Sequence, residues 1–509
     1  MKKITVFVGF VVALCVLIQC NTQTSTATYT PPKPSGLSGE ELAKQHCGSC
    51  HQYPTPDLAE QRIWEKSILP KMALRLGMAD KMTYFTSLEY EDMMMLSVAN
   101  IFPDNPVMAT EDWQKIIDFY VKNAPEKPIP QGKKVRPTVG LANFEAHSIY
   151  TTGEIPLVTM VKFRPEQKSL YVAYRGHNHV DIFDNHLSKT DSFPTQSPVS
   201  DMVFLPNKSL LALNMGIMDP NEQRRGTLIK RDFLKKETIL MDTLRRPVEI
   251  TLADLNQDGK QDAVICQFGN EIGKLAWYEN NFKTEHVLKY APGARNAIVQ
   301  DINGDNLPDI TVLMTQARES VILFINKGNG RFEEKPVLFF SPIYGSSHIQ
   351  LVDFDKDGFQ DILYTNGDNA DLSMSLKRFH GVHIFLNDGK QHFTEKYFYP
   401  MFGASKAMAA DFDLDGDLDI AAISFFTDAQ QMPNEGFLYF ENLGNWQFKP
   451  STLKETAKGK WMVMDVADTD QDGDADIVLG SFMLKERNVT DNKQKARKVS
   501  VLVLENKTK

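Results

Sequence analysis

The stretch DFDKDGFQD, residues 353–361, places a carboxylate at positions 1, 3, 5 and 9 and a glycine at position 6. Four other stretches have the same pattern, except that two have Asn at position 3 and one has Asn at position 6: DLNQDGKQD from Asp254, DINGDNLPD from Asp301, DFDLDGDLD from Asp411 and DTDQDGDAD from Asp468. In chain order, the first residues of the five stretches are 47, 52, 58 and 57 residues apart. A period in this range is typical of propellers and other repeat arrays, so the second half of the chain is predicted to consist of repeated units.

Oxygen ligands at positions 1, 3, 5 and 9 around a tight turn form a cage for a hard cation of calcium size. The sequence therefore predicts about five Ca²⁺ sites. The predicted ligands, loop by loop, are Asp254, Asn256, Asp258 and Asp262; Asp301, Asn303, Asp305 and Asp309; Asp353, Asp355, Asp357 and Asp361; Asp411, Asp413, Asp415 and Asp419; and Asp468, Asp470, Asp472 and Asp476. Asn306, a residue type that tolerates positive φ, stands at the turn position that glycine holds in the other four loops.

The five loops are not EF-hands, because an EF-hand needs a bidentate glutamate at position 12 and a helix on each side. Position 12 is occupied by Ile265, Val312, Tyr364, Ala422 and Leu479. Runs with β-type composition, such as DILYT and DIVLGSF, follow the loops. The loops are therefore predicted to join strands.

A second regular segment follows later in the repeat, as in LFINKGNGRFEEK, IFLNDGKQHFTEK and LYFENLGNWQFKP. Each segment has the pattern of a strand, an Asn/Gly turn and a second strand that opens with Phe. Loop and hairpin together give four strands, which is one propeller blade. These features resemble the FG-GAP/VCBS repeat family, as in the calcium-loop blades of integrin-type propellers, over residues 246–509.

Residues 150–245 lack the aspartate loops but keep a strand–turn–strand pattern, as in VTMVKFRPEQKSLYVAY. We interpret them as two further blades, which predicts an all-β, seven-bladed propeller over residues 139–509. The last hairpin, ending in SVLVLENKTK, lacks an outer strand, and NFEAHSIY, residues 143–150, has the pattern of that strand. The ring is therefore predicted to be closed by an N-terminal strand, which leaves no open sheet edge.

The stretch KQHCGSCHQYPTPD, residues 44–57, holds a C-x-x-C-H motif. A thioredoxin-like dithiol would follow a buried strand, and no strand pattern precedes Cys47. A structural zinc site would need a second ligand pair, and the chain has no second cysteine pair. In C-x-x-C-H the two thiols form thioethers with haem and the histidine ligates the iron. We therefore predict one covalent haem c on Cys47, Cys50 and His51.

Residues 37–128 resemble a small class I-like cytochrome c domain, with a helix, the haem motif, a proline-containing loop and the closing helix TEDWQKIIDFYVKNAP. The stretch WEKSILPKM resembles a motif that follows C-x-x-C-H in some exported cytochrome domains. This resemblance implies Met72 as the sixth iron ligand, with Met78 and Met108 as the next candidates. The predicted fold class is therefore multidomain: a small all-α cytochrome c domain, a linker over residues 129–138, and the propeller.

The N-terminus MKKITVFVGFVVALCVLIQC combines two lysines, an apolar run and a cysteine, which is the pattern of an export signal. It resembles a bacterial lipoprotein signal, which implies a signal peptide over residues 1–19 and lipidation at Cys20. An uncleaved transmembrane anchor is the alternative, although the apolar run is short for a span. The Thr/Pro-rich residues 20–36 are expected to be a flexible tether to the membrane. Cys266, in an apolar run, is expected to be a buried core thiol.

The formal net charge of −9 argues against a nucleic-acid partner. We expect an exported, membrane-tethered electron carrier whose propeller docks an unidentified redox partner or ligand. One alternative is a haem-fused oxidoreductase whose propeller oxidises a small molecule or sugar, and another is an adhesion module. No nucleophile–base pair or catalytic motif is recognised.

Two groups of residues outside these motifs are candidates for binding. Basic residues near the starts of the innermost strands are expected to line a channel mouth that attracts an anion. They are Arg246, Arg295, His348, Lys406 and Lys460. The insert NGDNADLSMSLKRFHGVHIF contributes Asp368, Arg378 and His380.

Overall fold

The computed structural model describes residues 29–151, 154–369, 375–483 and 497–509. The predicted signal peptide, the lipidated Cys20 and the first part of the predicted tether lie outside the described residues. Within the described ranges, no helix is both long enough and apolar enough to cross a bilayer.

A helical region, residues 39–123, precedes the sheets. Its elements are α1 (Gly39–Cys47), a 3₁₀ turn (Pro56–Leu58), α2 (Gln61–Ile63), a π-helical turn (Trp64–Ile68), α3 (Leu69–Arg75), α4 (Lys81–Phe85), α5 (Tyr90–Ala99) and α6 (Thr110–Asn123). A capping box starts α1: Ser38 Oγ accepts a hydrogen bond from the Glu41 N–H, and the Glu41 carboxylate accepts one from the Ser38 N–H at 2.9 Å. The capped helix expected before the haem motif is therefore present.

Helices α1 and α6 pack closely because residue 39 is a glycine. A Cβ atom at Gly39 would stand 2.2 Å from the carbonyl oxygen of Lys115, so a larger residue would force the helices apart. Leu42 on α1 and Ile116 and Tyr120 on α6 are almost completely buried at this contact. Ile116 and Tyr120 are four residues apart and therefore share one helix face.

The rest of the chain forms seven sheets, each with four antiparallel strands, which we number as blades in chain order. Blade 1 contains β3 (Val158–Arg164), β4 (Ser169–Tyr174), β5 (His179–Phe183) and β6 (Lys189–Pro194); blade 2 contains β7 (Val199–Phe204), β8 (Leu210–Asn214), β9 (Gly226–Arg231) and β10 (Glu237–Leu244). Blade 3 contains β11 (Pro247–Ala253), β12 (Asp262–Gln267), β13 (Lys274–Tyr278) and β14 (Glu285–Lys289); blade 4 contains β15 (Ala294–Gln300), β16 (Asp309–Met314), β17 (Ser320–Asn326) and β18 (Phe332–Phe339). Blade 5 contains β19 (Ser346–Val352), β20 (Asp361–Asn366), β21 (Gly381–Asn387) and β22 (Phe393–Pro400); blade 6 contains β23 (Ala404–Ala410), β24 (Asp419–Ser424), β25 (Phe437–Asn442) and β26 (Phe448–Thr452). Blade 7 contains β27 (Trp461–Ala467), β28 (Asp476–Ser481), β29 (Lys498–Asn506) and β2 (Phe144–Thr151), and the two-residue β1 (Thr138–Val139) pairs in parallel with β26.

The first strand of each blade contacts the first strand of the next, and β27 contacts β3, so the sheets close into a ring. The predicted seven-bladed propeller is confirmed. All seven innermost strands have a register shift between their first and third residues, which is a β-bulge at the same end of each strand.

An N-terminal strand closes the ring. Strand β2 pairs antiparallel with β29 from Phe144 opposite Asn506 to Thr151 opposite Lys498. Phe144 is buried, and its ring centroid lies 5.5 Å from that of Tyr439 in blade 6. The predicted closure is therefore confirmed, and both ends of the propeller sequence contribute strands to blade 7.

The two faces of the propeller differ in what they carry. The aspartate-loop face holds the connections between the first and second strands of each blade, including all five aspartate loops, and those between the third and fourth strands of blades 1 to 6. The helix-covered face holds the connections between successive blades and, as far as the described residues show, those between second and third strands. The helical region lies on this second face: Glu91 of α5 accepts a hydrogen bond from Arg225 at 2.5 Å, and Asp92 accepts one from the Glu222 N–H at 2.9 Å.

The segment expected to be a linker, residues 129–138, lies against blades 5 and 6. Lys134 forms an ion pair of 2.6 Å with Glu435, and both side chains are buried. Lys134 also donates to the carbonyl oxygen of Pro400 at 2.8 Å. The described end of the predicted tether is likewise in contact with the protein, since the Ser35 N–H donates to Asp112 Oδ2 at 2.7 Å. These hydrogen bonds fix segments whose composition suggested free chain.

Candidate functional site

A cavity of about 290 Å³ lies between the helical region and the helix-covered face, and we call it the shared cavity. From the helical region it is lined by, among others, Cys47, His51, Trp64, Leu69 and Met72. From the propeller it is lined by, among others, Phe268, Thr315, Gln316, Glu319, Ile343 and Lys377. The predicted haem residues Cys47 and His51 and the predicted sixth ligand Met72 thus face one space, together with propeller residues that the sequence did not indicate.

The two motif cysteines are free thiols, with Cys47 buried at the end of α1 and Cys50 exposed. Burial raises the pKa of Cys47 above its ordinary value. A redox dithiol depends on a thiol with a lowered pKa, and Cys47 is not such a thiol.

His51 is half-buried, and its Nδ1 lies 3.0 Å from the carbonyl oxygen of Gln52. Burial lowers the pKa of His51, which favours the neutral imidazole that binds metals. The contact of Nδ1 with a backbone carbonyl leaves Nε2 as the nitrogen available for a ligand.

Two aromatic side chains hold the chain that follows His51. Tyr120 donates a hydrogen bond to the carbonyl oxygen of Pro54 at 2.8 Å, and Trp64 Nε1 donates to the carbonyl oxygen of Pro56 at 2.8 Å. The rings of Trp64 and Tyr120 stack with centroids 4.1 Å apart. The loop after the motif is therefore fixed against α6 and the π-helical turn.

Met72 lies on α3, directly after the π-helical turn, and lines the shared cavity. Met78 and Met108 pack in the helical core and are not among the residues that line this cavity. π-Helical turns occur often at functional sites. The Cys47 thiol, the His51 imidazole and the Met72 thioether line the cavity, and the exposed Cys50 is three residues from Cys47 but is not among the lining residues. Together the four side chains are a donor set that fits a covalently attached haem.

The propeller wall of the shared cavity contains ionisable groups with unusual surroundings. Glu319 is buried, accepts hydrogen bonds from the N–H groups of Gly345 and Ser346 at 3.1 and 2.7 Å, and has its pKa raised by burial to about 7. Lys377 is also buried and donates to Asn369, and burial lowers its pKa to about 8. Such shifts are common at functional sites.

The insert of blade 5 contributes to the same wall. Asp368 lines the shared cavity, whereas Arg378 forms an ion pair with Asp57 of the helical region. His380 is completely buried, and neither ring nitrogen has a hydrogen-bond partner among the described residues. The three insert residues named from the sequence therefore have three different environments.

On the opposite face, carboxylates converge in three of the five aspartate loops. In the third, fourth and fifth loops, three carboxylate oxygens lie within 4.8 Å of one another. The residues are Asp353, Asp355 and Asp357; Asp411, Asp413 and Asp415; and Asp468, Asp470 and Asp476. In the first two loops an asparagine, Asn256 or Asn303, supplies the oxygen at position 3.

The aspartate at position 9 of each loop also holds the blade together. The five residues are completely buried at the start of each second strand: Asp262, Asp309, Asp361, Asp419 and Asp476. Each accepts a backbone N–H from an asparagine near the third strand, as Asp309 does from Asn326 at 2.7 Å. Burial raises the pKa of Asp361 to about 6 and that of Asp419 to about 7. A nearby cation would stabilise their charged forms.

The basic residues expected at the channel mouth do not form one ring. Arg246 and Lys460 directly precede β11 and β27, Arg295 is the second residue of β15, and His348 and Lys406 are the third residues of β19 and β23. The third positions of β7 and β11 hold acids, Asp201 and Glu249, and Lys162 donates to Asp201 at 2.9 Å. Burial lowers the pKa of His348, and the nearby positive charges of Lys406 and Arg295 add to this effect, so these three residues lie close together. The channel also contains acids and therefore carries charges of both signs.

Cys266 is completely buried in an apolar cluster, as expected. The residues that sequence reasoning missed are those of the propeller wall, above all Gln316, Glu319, Ile343 and Lys377. They lie in connections of blades 4 and 5 that share no motif, and only the ring brings them opposite His51.

Comparisons with known proteins agree with the repeat pattern. A family model described as FG-GAP-like repeat matches residues 301–364. Integrin alpha-4 of Xenopus laevis is 30% identical over 143 residues, a match that covers 25% of this chain and 14% of the integrin. The chain is thus a propeller with an FG-GAP-like repeat, and it spans only a small part of that relative's length.

Two solved structures were also matched. The N-terminal domain of Nup159 covers 74% of this chain and 99% of its own length, at 12% identity and a TM-score of 0.42. The extracellular domain of a putative one-component system from B. thetaiotaomicron covers 72% of this chain and 40% of its own, at 13% identity and a TM-score of 0.42.

Proposed function

We propose that this protein is an exported, lipid-anchored electron carrier with one covalent haem c, whose calcium-stabilised propeller docks a redox partner or ligand. The single observation that carries the proposal is that Cys47, His51 and Met72 line the same cavity. The lipid anchor rests on the sequence around Cys20.

When bound, the haem would supply one-electron chemistry at its iron. Cys47 and Cys50 would hold it, and His51 and Met72 would ligate it. Trp64 and Leu69, both buried, would exclude water from the cavity, which favours the less charged ferrous state. Tyr120 and Trp64 hold the chain after His51 and so orient the imidazole.

The aspartate loops would bind calcium and pin the first two strands of blades 3 to 7. Clustered carboxylates repel one another, and a divalent ion removes this repulsion. Support comes from the convergence of three acidic oxygens in three loops and from Asp411 Oδ1, a buried carboxylate oxygen with no hydrogen-bond partner among the described residues.

A second candidate is an oxidoreductase whose propeller delivers electrons from a small substrate to the haem. The observation that favours it is that Glu319 and Lys377, both buried and both with shifted pKa values, line the same cavity as His51. A third candidate, a binding module without redox chemistry, is favoured by the FG-GAP-like repeat alone.

The first test is an absorption spectrum of the full chain produced with haem maturation, as isolated and after dithionite, followed by a screen of sugars and alcohols as reductants. A c-type spectrum that only dithionite or redox proteins reduce supports the carrier. Reduction by a small molecule with this chain alone supports the oxidoreductase. If the protein carries no attached haem, the binding module is the remaining candidate.

The sixth ligand is tested by Met72→Ala, with Met78→Ala as the matched control. We expect Met72→Ala to lose the weak far-red band of methionine-ligated ferric haem, and Met78→Ala to keep it. Retention of this band in Met72→Ala would assign the ligand elsewhere.

A further inference from the structure

The shared cavity is not closed by the helical region alone. Ile343, in the connection between blades 4 and 5, belongs to the same buried cluster as Cys47, Trp64 and Tyr120. It is only 5% exposed. A residue of the propeller is therefore part of the core that surrounds the haem motif.

The loop between β16 and β17, residues 315–319, faces the cavity with several unusual features. Gln316 lines the cavity, and its Oε1 is buried without a hydrogen-bond partner among the described residues. Ala317 has a φ of 51°, a left-handed conformation that is uncommon for a residue with a side chain. Burial lowers the pKa of His51, and the positive charge of Arg318 adds to this effect. The loop is thus close to the predicted iron ligand.

The interface holds this loop in a fixed position relative to the helices. Arg75 of α3 forms an ion pair with Glu271 of blade 3. Ile272 packs against a second helical cluster that contains Phe85, Leu96 and Phe102. An ion pair and an apolar contact, at two neighbouring residues of blade 3, therefore anchor the helical region beside the cavity.

We infer that the loop of residues 315–319 and Ile343 form one wall of the haem pocket. The propeller, and not only the helical region, then sets the water access and the electrostatic surroundings of the haem. This inference rests on the proposed haem attachment and assigns Gln316 and Ile343 as positioning residues.

The two residues should act on the haem in opposite directions. Truncation of Ile343 opens the pocket to water, which stabilises the more highly charged ferric state. Truncation of Gln316 removes the negative end of an amide dipole from the cavity, which destabilises the ferric state. If either residue had only a structural role, the two substitutions would not shift the ferric-to-ferrous ratio in opposite directions.

The test uses the full haem-containing chain, with redox titrations of wild type, Ile343→Ala and Gln316→Ala followed by absorbance. Ile272→Ala is the matched control, since it removes the same side chain at the same interface but outside the residues that line the cavity. At a fixed applied potential near the midpoint, we expect the ferric-to-ferrous ratio to rise about fivefold in Ile343→Ala and to fall about threefold in Gln316→Ala. Ile272→Ala should leave the ratio unchanged.

Far-UV circular dichroism establishes that each variant is folded. If Ile343→Ala does not fold, the half-buried Gln316, whose truncation should not affect folding, decides the question alone. Equal ratios in wild type and Gln316→Ala, or equal effects of Ile343→Ala and Ile272→Ala, would overturn the inference while leaving the haem attachment intact. A chain that carries no haem would instead contradict the proposed function.

Discussion

The two faces of the propeller are formed by the same strands but acquire their chemistry in different ways. On the aspartate-loop face, one local motif is repeated in five blades, and three of the copies bring three of their own carboxylates together. On the helix-covered face no motif repeats, and the shared cavity takes one or a few residues from each of several connections. A repeated local motif can be recognised in a sequence, whereas a site assembled across blades cannot.

Both faces of the propeller depend on an intact ring, so the largest effect is expected when the ring is opened. Deletion of residues 139–150 removes β2, leaves β29 as an open edge, and should abolish the cooperative thermal transition of the whole propeller. The milder Phe144→Ala should cost about 3–5 kcal/mol of unfolding free energy, because it empties a buried aromatic site. Tyr150→Ala, on the same strand but 40% exposed, is the control and should cost less than about 1 kcal/mol. A deletion variant that melts like wild type would contradict the closure.

Removal of calcium should affect the two faces differently. Each site at a hundredfold excess of calcium over its Kd stabilises the fold by about 2.7 kcal/mol, so loss of several sites should lower the melting temperature by roughly 10–20 °C. Added calcium should restore it, and magnesium should restore less. If the protein carries the proposed haem, its spectrum should not change in chelator below the transition, because the loops lie on the opposite face. A melting temperature that does not change with calcium would mean that the loops bind no calcium.

The helix-covered face can be tested through Lys134, whose ion pair with Glu435 is buried. Lys134→Ala leaves the Glu435 carboxylate without its cation and should cost about 3–5 kcal/mol in chemical unfolding. The neighbouring Lys133→Ala, at an exposed position, should change the unfolding free energy by less than about 0.5 kcal/mol. Equal effects of the two substitutions would show that residues 129–138 act as free chain.

The aspartate-loop face should also be the source of a pH dependence that calcium suppresses. Burial raises the folded-state pKa of Asp361 to about 6 and that of Asp419 to about 7, above the unfolded value of about 3.9. Protonation therefore favours the folded state, and in chelator stability should fall by a few kcal/mol as the pH rises from about 4 to 7.

Thermal melts between pH 5 and 7.5, with chelator and with calcium, measure this dependence. Calcium should flatten the pH profile, because it stabilises the charged carboxylates. Asp419→Asn should flatten the profile in chelator, and Asp428→Asn on the opposite face serves as the control. A profile in chelator that rises with pH would contradict the sign of the effect.

The smallest effect is expected from the exposed ion pair between Arg378 and Asp57, which joins the insert of blade 5 to the helical region. Both side chains are about two-fifths exposed, at 42% and 41%. Arg378→Ala should therefore cost less than about 1 kcal/mol, and the cost should shrink further in high salt. A loss as large as that of Lys134→Ala would mean that this contact, and not the buried one, holds the insert and helices together.

Sequence reasoning succeeded where the signal lies within one short stretch or recurs along the chain. The carboxylates of residues 353–361 are brought together by their own turn, and the pattern of NFEAHSIY identified the closing strand. The predicted basic ring did not form, because the five residues occupy different positions, from just before β11 and β27 to the third residues of β19 and β23, and because acids occupy the third positions of β7 and β11.

The sequence by itself determined the repeat and the closing strand, and it predicted the cation ligands and the haem attachment, because each depends on residues that are neighbours in the chain or in one hairpin. Only the tertiary structure decided that Gln316, Ile343 and Lys377 face His51 across one cavity. These residues are separated from His51 by more than 260 positions. Their proximity follows from ring closure and from the docking of the helical region on one face, which no local pattern encodes.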